Sequence, residues 1–297
     1  MVTSENRNPE VGSVTHADPD LLHSAPSLVD HERGPTLPQL SSEKPLMRRG
    51  AFVLDSHIDA TNWDEALANI VAWGAQHQSR YVTLCNVHSV VTASQDAAFK
   101  KVIAQADLAL PDGAPVAWVL RRSGYPEQQR LNGPDLMWRY LGLADKIGQS
   151  VFFYGSSDDT LNKLKVCLNA AFPTLTIAGM ESPPFRELTP DEDLAYVDQI
   201  NRSGAHVVFV GLGCPKQEAW MANHRGRVNA VMLGVGAAFD YHAGSIKRAP
   251  IWMQKSGMEW FHRFCSEPRR LAKRYAVTNT LFIYRTLKAM MIGRKAP

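Results

Sequence analysis

Hydrophobic and polar positions fall into two kinds of segment along most of the chain. Short, nearly continuous apolar runs such as YVTLC (81–85) and VVFVG (207–211) predict buried strands. Longer segments with apolar positions at helical spacing separate these runs, and the first of them begins with Thr61 as its expected N-cap. Strands that alternate with helices are typical of a parallel sheet covered on both faces. The pattern therefore predicts an α/β fold with a Rossmann-like parallel sheet and helices on both of its faces.

The same pattern divides the chain into three parts. Residues 1–46 mix Pro, Ser, Asn, Glu and His without apolar periodicity, which predicts a disordered leader. Residues 47–244 carry the alternation of strands and helices, so they form the predicted α/β domain. Residues 245–297 interleave cations with aromatic side chains and predict a basic, amphipathic, helical appendage.

The formal net charge of +3 conceals a strong asymmetry. From residue 246 to the C-terminus there are twelve Lys and Arg against two acidic residues, a net +10, which leaves −7 for the rest. Cations interleaved with aromatic and aliphatic side chains are typical of a helix at an anionic membrane interface. A core helix with a solvated basic face explains the pattern equally well. An RNA-binding surface ranks lower because the aromatics lack the spacing of a recognition module.

The four cysteines indicate a reducing compartment. They lie far apart with no CxxC pair, so neither a zinc ribbon nor a disulfide framework is expected. No signal peptide is recognisable, and no window reaches the roughly 18 uninterrupted apolar residues of a spanning helix. The nearest candidate, residues 275–293, is interrupted by Asn279, Arg285 and Lys288. We therefore expect a soluble, cytoplasmic protein that can contact a membrane surface.

Polar and glycine-rich turns follow the predicted strands. In parallel sheets the ligand crevice lies beyond the carboxyl ends of the strands. The rule selects Asn86 and His88, then Asp112, then Gly155, and finally the turns at 211–217 and 234–240. A lone histidine such as His88 is more often structural than catalytic.

Asp112 lies at the end of the apolar run ADLAL, directly before Gly113. A turn or N-cap carboxylate is the plainer interpretation. Partial burial on the ligand side of a sheet would, however, raise the pKa of this carboxyl group and suit a general base. Asp135, in RLNGPDL, is interpreted first as an N-cap and second as a ligand contact.

The two glycine turns can each approach a ligand closely. In FVGLGCPKQEAW, Pro215 is expected at the first helical position, where helix N–H groups, Lys216 and Gln217 would together bind an anion. A tight turn with an exposed lysine is about equally well supported. In GVGAAFDY, Phe239 occupies the position where a dinucleotide fingerprint requires glycine or alanine, so no nicotinamide cofactor is expected. Asp240 either accepts hydrogen bonds from sugar hydroxyls or caps a turn.

Metal chemistry finds little support in the pattern. The acidic clusters DPD (18–20) and DED (191–193) lie in the leader and at a charged helix start, not at strand ends. We predict no metal site and no cofactor.

The motifs NVHSVV, ALPDGAPVAW, RLNGPDL, FFYGSS, FVGLGCPKQEAWM and the segment from GVGAAFDY to EPRRLAKRY resemble, in this order, the WecG/TagA/CpsF family of bacterial glycosyltransferases. The similarity covers roughly residues 50–275. It implies that a sugar is moved, with inversion, from a UDP-sugar to a polyprenyl-diphosphate-linked saccharide in exopolysaccharide or cell-surface polysaccharide biosynthesis. The implied donors carry N-acetylmannosamine, its uronate, glucuronate or glucose. The implied place is the cytoplasmic side, peripheral on the inner face of the bacterial plasma membrane.

The resemblance also implies roles for individual residues. Asp112 matches the catalytic base, and Asn86 and Gln217 match substrate-site residues. Family members often carry a threonine two residues before the asparagine; here Leu84 stands there and Thr83 is its neighbour. The predicted substrate-binding set is Thr83, Asn86, His88, Gly113, Asn132, Gly133, Asp135, Tyr154, Gly155, Gly211, Gly213, Pro215, Lys216, Gln217, Gly234, Gly236 and Asp240. The predicted contacts to membrane or diphosphate are Arg248, Arg263, Arg269, Arg270 and Arg274.

Two functions from other classes remain open at this point. A nucleotide-binding oxidoreductase would need the cofactor fingerprint that the glycine turns lack, and a non-catalytic RNA-binding protein would need steeply salt-dependent RNA affinity. Neither explains the Asp112 turn and the PKQE turn together, so no nucleic-acid partner is expected. A homo-oligomer is compatible with the sequence.

Overall fold

Residues 48–291 are described by the computed structural model, and the predicted leader, residues 1–46, lies outside them. Within this range the strands are β1 (Gly50–Val53), β2 (Ser56–Asp59), β3 (Arg80–Cys85), β4 (Leu108–Pro111), β5 (Val151–Gly155), β6 (Ile177–Glu181), β7 (Val207–Gly211) and β8 (Val231–Gly234). The helices are α1 (Trp63–Ala75), α2 (Val87–Ala93), α3 (Ala97–Gln105), α4 (Ala114–Arg122), α5 (Gly133–Ile147), α6 (Asp158–Ala171), α7 (Pro190–Arg202), α8 (Lys216–His224), α9 (Ala238–His242), α10 (Ile251–Lys255), α11 (Glu259–Ser266) and α12 (Pro268–Met291).

Six of the strands form one parallel sheet in the order β4-β3-β8-β7-β5-β6, and β1 and β2 form a separate antiparallel hairpin. Each pair of neighbouring strands in the large sheet is parallel. The predicted α/β class with a Rossmann-like sheet is therefore confirmed. Cys85 at the end of β3 pairs with Pro111 at the end of β4, so the residues that follow, Asn86 and Asp112, leave the sheet side by side.

Helices cover both faces because the side chains of a strand alternate between them. Val82 and Leu84 of β3 pack with α1, α5, α6 and α9, whereas Cys85 packs on the other face with α2, α3 and α4. Phe152 and Tyr154 of β5 extend this second face toward α7 and α8. Strands buried on both sides explain the continuous apolar runs in the sequence.

The edge strand β4 is covered by the β1–β2 hairpin. Asp59, the last residue of β2, accepts a hydrogen bond from the backbone N–H of Ala109 at 2.6 Å. Arg48 holds the same carboxylate with two hydrogen bonds of 2.8 and 2.6 Å. The exposed backbone of an edge strand is thereby protected from pairing with another chain.

Helix α12, in the segment predicted to be the basic appendage, packs against helices that cover the sheet. Phe282 of α12 is buried among residues of α2, α3 and α4, and Arg285 donates a hydrogen bond to Ser94. None of the helices within residues 48–291 combines the length and apolar content needed to cross a lipid bilayer.

The cap of α1 differs from the sequence expectation by one residue. Asn62, not Thr61, is the N-cap, and its side chain accepts from the N–H of Glu65 at 2.9 Å. Thr61 instead donates its hydroxyl to the Glu65 carboxylate at 3.1 Å. Both residue types cap well, so the sequence pattern could not distinguish them.

Candidate active site

The carboxyl ends of β3 and β4 bring Asn86 and Asp112 together. Asn86 caps α2, where its side-chain oxygen accepts from the N–H of Ser89 at 3.2 Å. The side chain of Asn86 is also hydrogen-bonded to Asp112. The backbone N–H of Asp112 donates to the backbone carbonyl oxygen of Cys85 at 3.0 Å. Gly113 has a φ of 95°, which turns the chain away from the strand. The carboxylate of Asp112 is therefore held at the carboxyl edge of the parallel sheet.

The surroundings of Asp112 suit a proton acceptor. Burial raises the pKa of Asp112 to about 6; Glu259 acts in the same direction, whereas Arg130, Arg263 and the Asn86 hydrogen bond lower it. A carboxyl group with this pKa is ionised at neutral pH and is a stronger base than an ordinary aspartate.

The positive charges of Arg130 and Arg263 act on this carboxylate. Arg130 donates to Glu259 at 2.6 Å, and Arg248 donates to Asp135 at 2.5 Å. Arg263 lies over the ring of Tyr241, with 5.8 Å between the guanidinium carbon and the ring centroid. Among the described residues, the buried Nε atoms of Arg263 and Arg274 have no hydrogen-bond partner, whereas the Nε of Arg248 lies 3.5 Å from the Glu259 carboxylate. Unpaired buried donors are costly, so this cluster is suited to an anionic ligand.

The expected cap of α5 at Asp135 is wrong, because Asn132 caps this helix. The side-chain oxygen of Asn132 accepts from the N–H of Asp135 at 3.0 Å, and its amide nitrogen donates to the Asp135 carboxylate at 2.6 Å. Burial raises the pKa of Asp135, but the hydrogen bond and charge of Arg248 outweigh it, so the pKa is lowered overall. Gly133 is needed here, since a Cβ atom would lie 2.7 Å from the carbonyl oxygen of Val235.

Gln217 joins the two glycine turns that follow β7 and β8. Its side-chain oxygen accepts from the N–H groups of Gly213 at 3.2 Å and Gly236 at 3.0 Å. Its amide nitrogen donates to the Gly234 carbonyl at 3.1 Å and to Glu218 at 2.9 Å. Every hydrogen-bonding position of this amide is thus used inside the protein. Its assignment as a substrate contact stays a prediction.

Helix α8 begins within one residue of the position that the sequence predicts. The prediction of Pro215 as the first helical residue is wrong by one position, because Pro215 is the N-cap and α8 begins at Lys216, which is exposed. Burial raises the pKa of Glu218, whose side chain lies directly beneath the turn.

Replacing Gln217 with Glu tests whether the Gln217 amide holds the two glycine turns together. The substitution exchanges a donor for an acceptor facing the Gly234 carbonyl and brings a second carboxyl group to Glu218. We expect the free energy of unfolding to fall by about 2–4 kcal/mol, measured by urea denaturation at pH 8. Gln129→Glu, at an exposed position, is the matched control. An unchanged urea midpoint for Gln217→Glu would show that the turns do not depend on this amide.

The glycines that end β5 and β7 allow these two strands to approach closely. A Cβ atom on Gly155 would lie 2.7 Å from the backbone of Gly211, and one on Gly211 would lie 2.8 Å from the ring of Phe239. Asp240, on α9 beside this contact, accepts from the Thr160 hydroxyl at 3.4 Å. The turns at the ends of β5, β7 and β8 therefore lie side by side along the carboxyl edge of the sheet.

Other predicted site residues are enclosed by protein. Thr83 is completely buried, with its hydroxyl 3.6 Å from the Cys85 sulfur. Tyr154 is buried and stacks on Trp220 with 4.6 Å between ring centroids. Their assignments as substrate contacts stay predictions.

His88 and the remaining arginines complete the predicted set. His88 is half-buried, its Nδ1 has no hydrogen-bond partner within residues 48–291, and burial and the charge of Arg274 lower its pKa. Arg269 is exposed, and the Arg270 side chain lies outside the described part of the chain.

Two residues of the site were missed by the sequence pattern. Arg130 lies in the loop before α5, and Glu259 is one of two acids in a basic segment. They are 129 positions apart, and nothing in periodicity or spacing connects them. In the part of the chain from 48 to 291, no group of three or more His, Cys, Asp or Glu side chains is arranged to hold a metal ion.

Comparisons with known proteins find similarity over most of the chain. The family model described as "Glycosyl transferase WecG/TagA/CpsF family" matches residues 51–296. An N-acetylglucosaminyldiphosphoundecaprenol N-acetyl-beta-D-mannosaminyltransferase of Bacillus subtilis is 30% identical over 203 residues, covering 66% of this chain and 77% of the relative. The enzyme of the same name from Bacillus spizizenii is 31% identical over 216 residues, covering 72% of this chain and 78% of that relative.

Proposed function

The chain belongs to the WecG/TagA/CpsF family of glycosyltransferases, and on this premise we propose that it moves a sugar from a UDP-sugar to a polyprenyl-diphosphate-linked saccharide with inversion. The observation that carries the proposal is Asp112, a carboxylate with a pKa of about 6 at the sheet edge, on which the charges of Arg130 and Arg263 act. Family membership sets aside the oxidoreductase and RNA-binding alternatives.

Asp112 acts as the general base in this reaction. It accepts the proton of the acceptor hydroxyl while that oxygen forms the new bond to the anomeric carbon. The bond from the anomeric carbon to the donor phosphate breaks, and UDP leaves with the electron pair. A single displacement with one base inverts the anomeric configuration.

The arginine cluster neutralises the leaving diphosphate. Because the N–H groups of Gly213 and Gly236 are bonded to Gln217, they are unavailable to the diphosphate. Arg263 and Arg274, whose Nε atoms are buried and unpaired within the described chain, are better suited to its negative charge. Arg248 is already paired with Asp135 and lies 3.5 Å from Glu259, so its charge is balanced within the protein.

The donor sugar is proposed from the relatives. Both relatives are named for transfer of N-acetyl-beta-D-mannosamine to N-acetylglucosaminyldiphosphoundecaprenol. We take N-acetylmannosamine as the first candidate, and its uronate, glucuronate and glucose as the others. The acceptor proposed is a polyprenyl-diphosphate-linked N-acetylglucosamine.

The appendage is proposed to bind the inner face of the plasma membrane. Val277, Ile283, Tyr284, Leu287 and Met291 of α12 are exposed and form what we call the apolar stripe. At 100° per residue the stripe lies on the side of α12 opposite Phe282, which packs on the domain. The surrounding cations complement anionic lipid headgroups.

A panel of UDP-sugars tests the proposed function. The four donors are incubated with a short polyprenyl-diphosphate N-acetylglucosamine, and products are read by mass spectrometry and by the anomeric coupling in NMR. We expect one preferred donor, N-acetylmannosamine, and a β-linked product from an α-linked donor. Absence of transfer from every donor, or a retained configuration, would contradict the proposal.

A further inference from the structure

We propose that Glu259 is a positioning residue of the transfer reaction, which holds Arg130 and Arg248 in place beside Asp112 and balances the positive charge around it. The inference rests on the proposed function, because it assigns a partner to the same base. Glu259 lies at the start of α11, so the appendage would supply an acidic group to the site as well as its cations.

The geometry places Glu259 between two guanidinium groups. One carboxylate oxygen accepts from Arg130 at 2.6 Å, and the other lies 3.5 Å from the Nε of Arg248. Both Glu259 and Arg130 side chains are only 18% exposed, so the pair is shielded from solvent. The opposite end of Arg248 binds Asp135, which fixes this guanidinium from both sides.

A close backbone contact brings Glu259 to the base. Gly257, two residues before Glu259, has φ of 75°, and a Cβ atom there would lie 2.8 Å from the Cβ of Ala114. Ala114 follows Asp112 by two residues at the start of α4. The turn between α10 and α11 therefore rests directly on the turn that carries the base.

The charges near Asp112 are unevenly distributed. Arg130 and Arg263 lower its pKa, Glu259 raises it, and the uncharged Asn86 side chain donates a hydrogen bond. The buried Cys85 thiol lies close enough to respond to the Asp112 charge. Without Glu259, the base would face the arginines with no acidic neighbour among these groups. Its pKa would fall, and so would its basicity.

A purely structural role for the Arg130–Glu259 pair predicts a different outcome from a positioning role. Removing either partner breaks the same ion pair and loosens the appendage equally. The two removals act in opposite directions on the charge at Asp112, however. Glu259→Gln is expected to move the acid limb of kcat/KM to lower pH, and Arg130→Gln to higher pH.

The experiment compares pH profiles of kcat/KM for full-length wild type, Glu259→Gln, Glu259→Asp and Arg130→Gln. We expect Glu259→Gln to lose up to roughly 100-fold in kcat at pH 8, because the guanidinium groups are displaced. Glu259→Asp keeps the charge, so its acid limb should stay near that of wild type even though its shorter side chain lowers the rate. Glu127→Gln, on the exposed part of the loop that carries Arg130, is the control expected to match wild type.

Each outcome has a defined meaning. Opposite shifts of the acid limb in Glu259→Gln and Arg130→Gln support the inference, while shifts in the same direction or none overturn it. If Glu259→Gln does not fold, as judged by circular dichroism, the inference is supported when the acid limb of Arg130→Gln moves to higher pH while that of Glu259→Asp stays near wild type, and any other pattern overturns it. An acid limb missing from wild type, or one that survives in Asp112→Asn, would instead refute the proposed base and leave the appendage charges unexplained.

Discussion

Asp112→Asn is expected to retain UDP-sugar binding and to lower the rate of transfer by roughly 100-fold or more. The amide fills the same space and can still bond with Asn86, but it cannot accept the proton of the acceptor hydroxyl. In the wild type, kcat/KM should fall as the pH drops through about 6, because the basic form of Asp112 is lost. The measurements are donor titration by calorimetry and product formation by mass spectrometry.

The same substitution has an expected signature in stability. The pKa of Asp112 is raised by burial from 3.8 to about 6, so the ionised form is the unfavourable one in the folded state. The wild type therefore loses stability as the pH rises from about 4 through 6, and Asp112→Asn avoids this loss. We expect the variant to gain on the order of 1–2 kcal/mol at pH 8 and nothing at pH 3. Near-normal turnover in a well-folded variant would remove Asp112 from catalysis.

The second large effect is expected at the membrane. Ile283→Glu combined with Leu287→Glu places two carboxylates in the apolar stripe, at positions that are 57% and 51% exposed. Two apolar side chains no longer insert, and two negative charges meet anionic headgroups. We expect binding to vesicles of phosphatidylglycerol and phosphatidylethanolamine to weaken by roughly 100-fold or more. Co-sedimentation with these vesicles at low salt measures the bound fraction of the variant and of the wild type.

A matched pair on other helices controls for the added charge. Val166 on α6 and Leu194 on α7 are exposed to a similar extent, at 68% and 53%, and lie outside the appendage. Val166→Glu with Leu194→Glu should therefore bind vesicles like the wild type. Equal losses in the two pairs would mean that net charge, and not the apolar stripe, governs binding.

Part of the site could be predicted because ligands of parallel sheets bind beyond the carboxyl ends of the strands. Continuous apolar runs predict the strands, and the ends of these runs locate Asn86 and Asp112 at the carboxyl edge of the sheet. This worked because the carboxyl ends of parallel strands share one edge, whatever their order in the sheet. The family resemblance then supplied the chemical role of Asp112.

Long-range side-chain pairing could not be predicted in this way. Arg130 meets Glu259 because the segment just before α11 lies against the start of α4, where Gly257 contacts Ala114, and periodicity carries no information on such contacts. The hydrogen bonds of Gln217 are likewise set by where two distant glycine turns meet. Caps were misplaced at Thr61 and Asp135 because Thr, Asn and Asp all cap well and differ only in which one reaches the free N–H.

The place of β8 between β3 and β7 has a consequence for synthesis on the ribosome. Val231 pairs with Arg80 on one side and with Val207 on the other, so β8 is the strand that joins the two halves of the sheet. Until residue 234 has been made, the edges of β3 and β7 that pair with β8 have no partner. Such edges invite association between neighbouring nascent chains. The six-stranded sheet can thus close only after β8, the last of its strands along the chain, has been made.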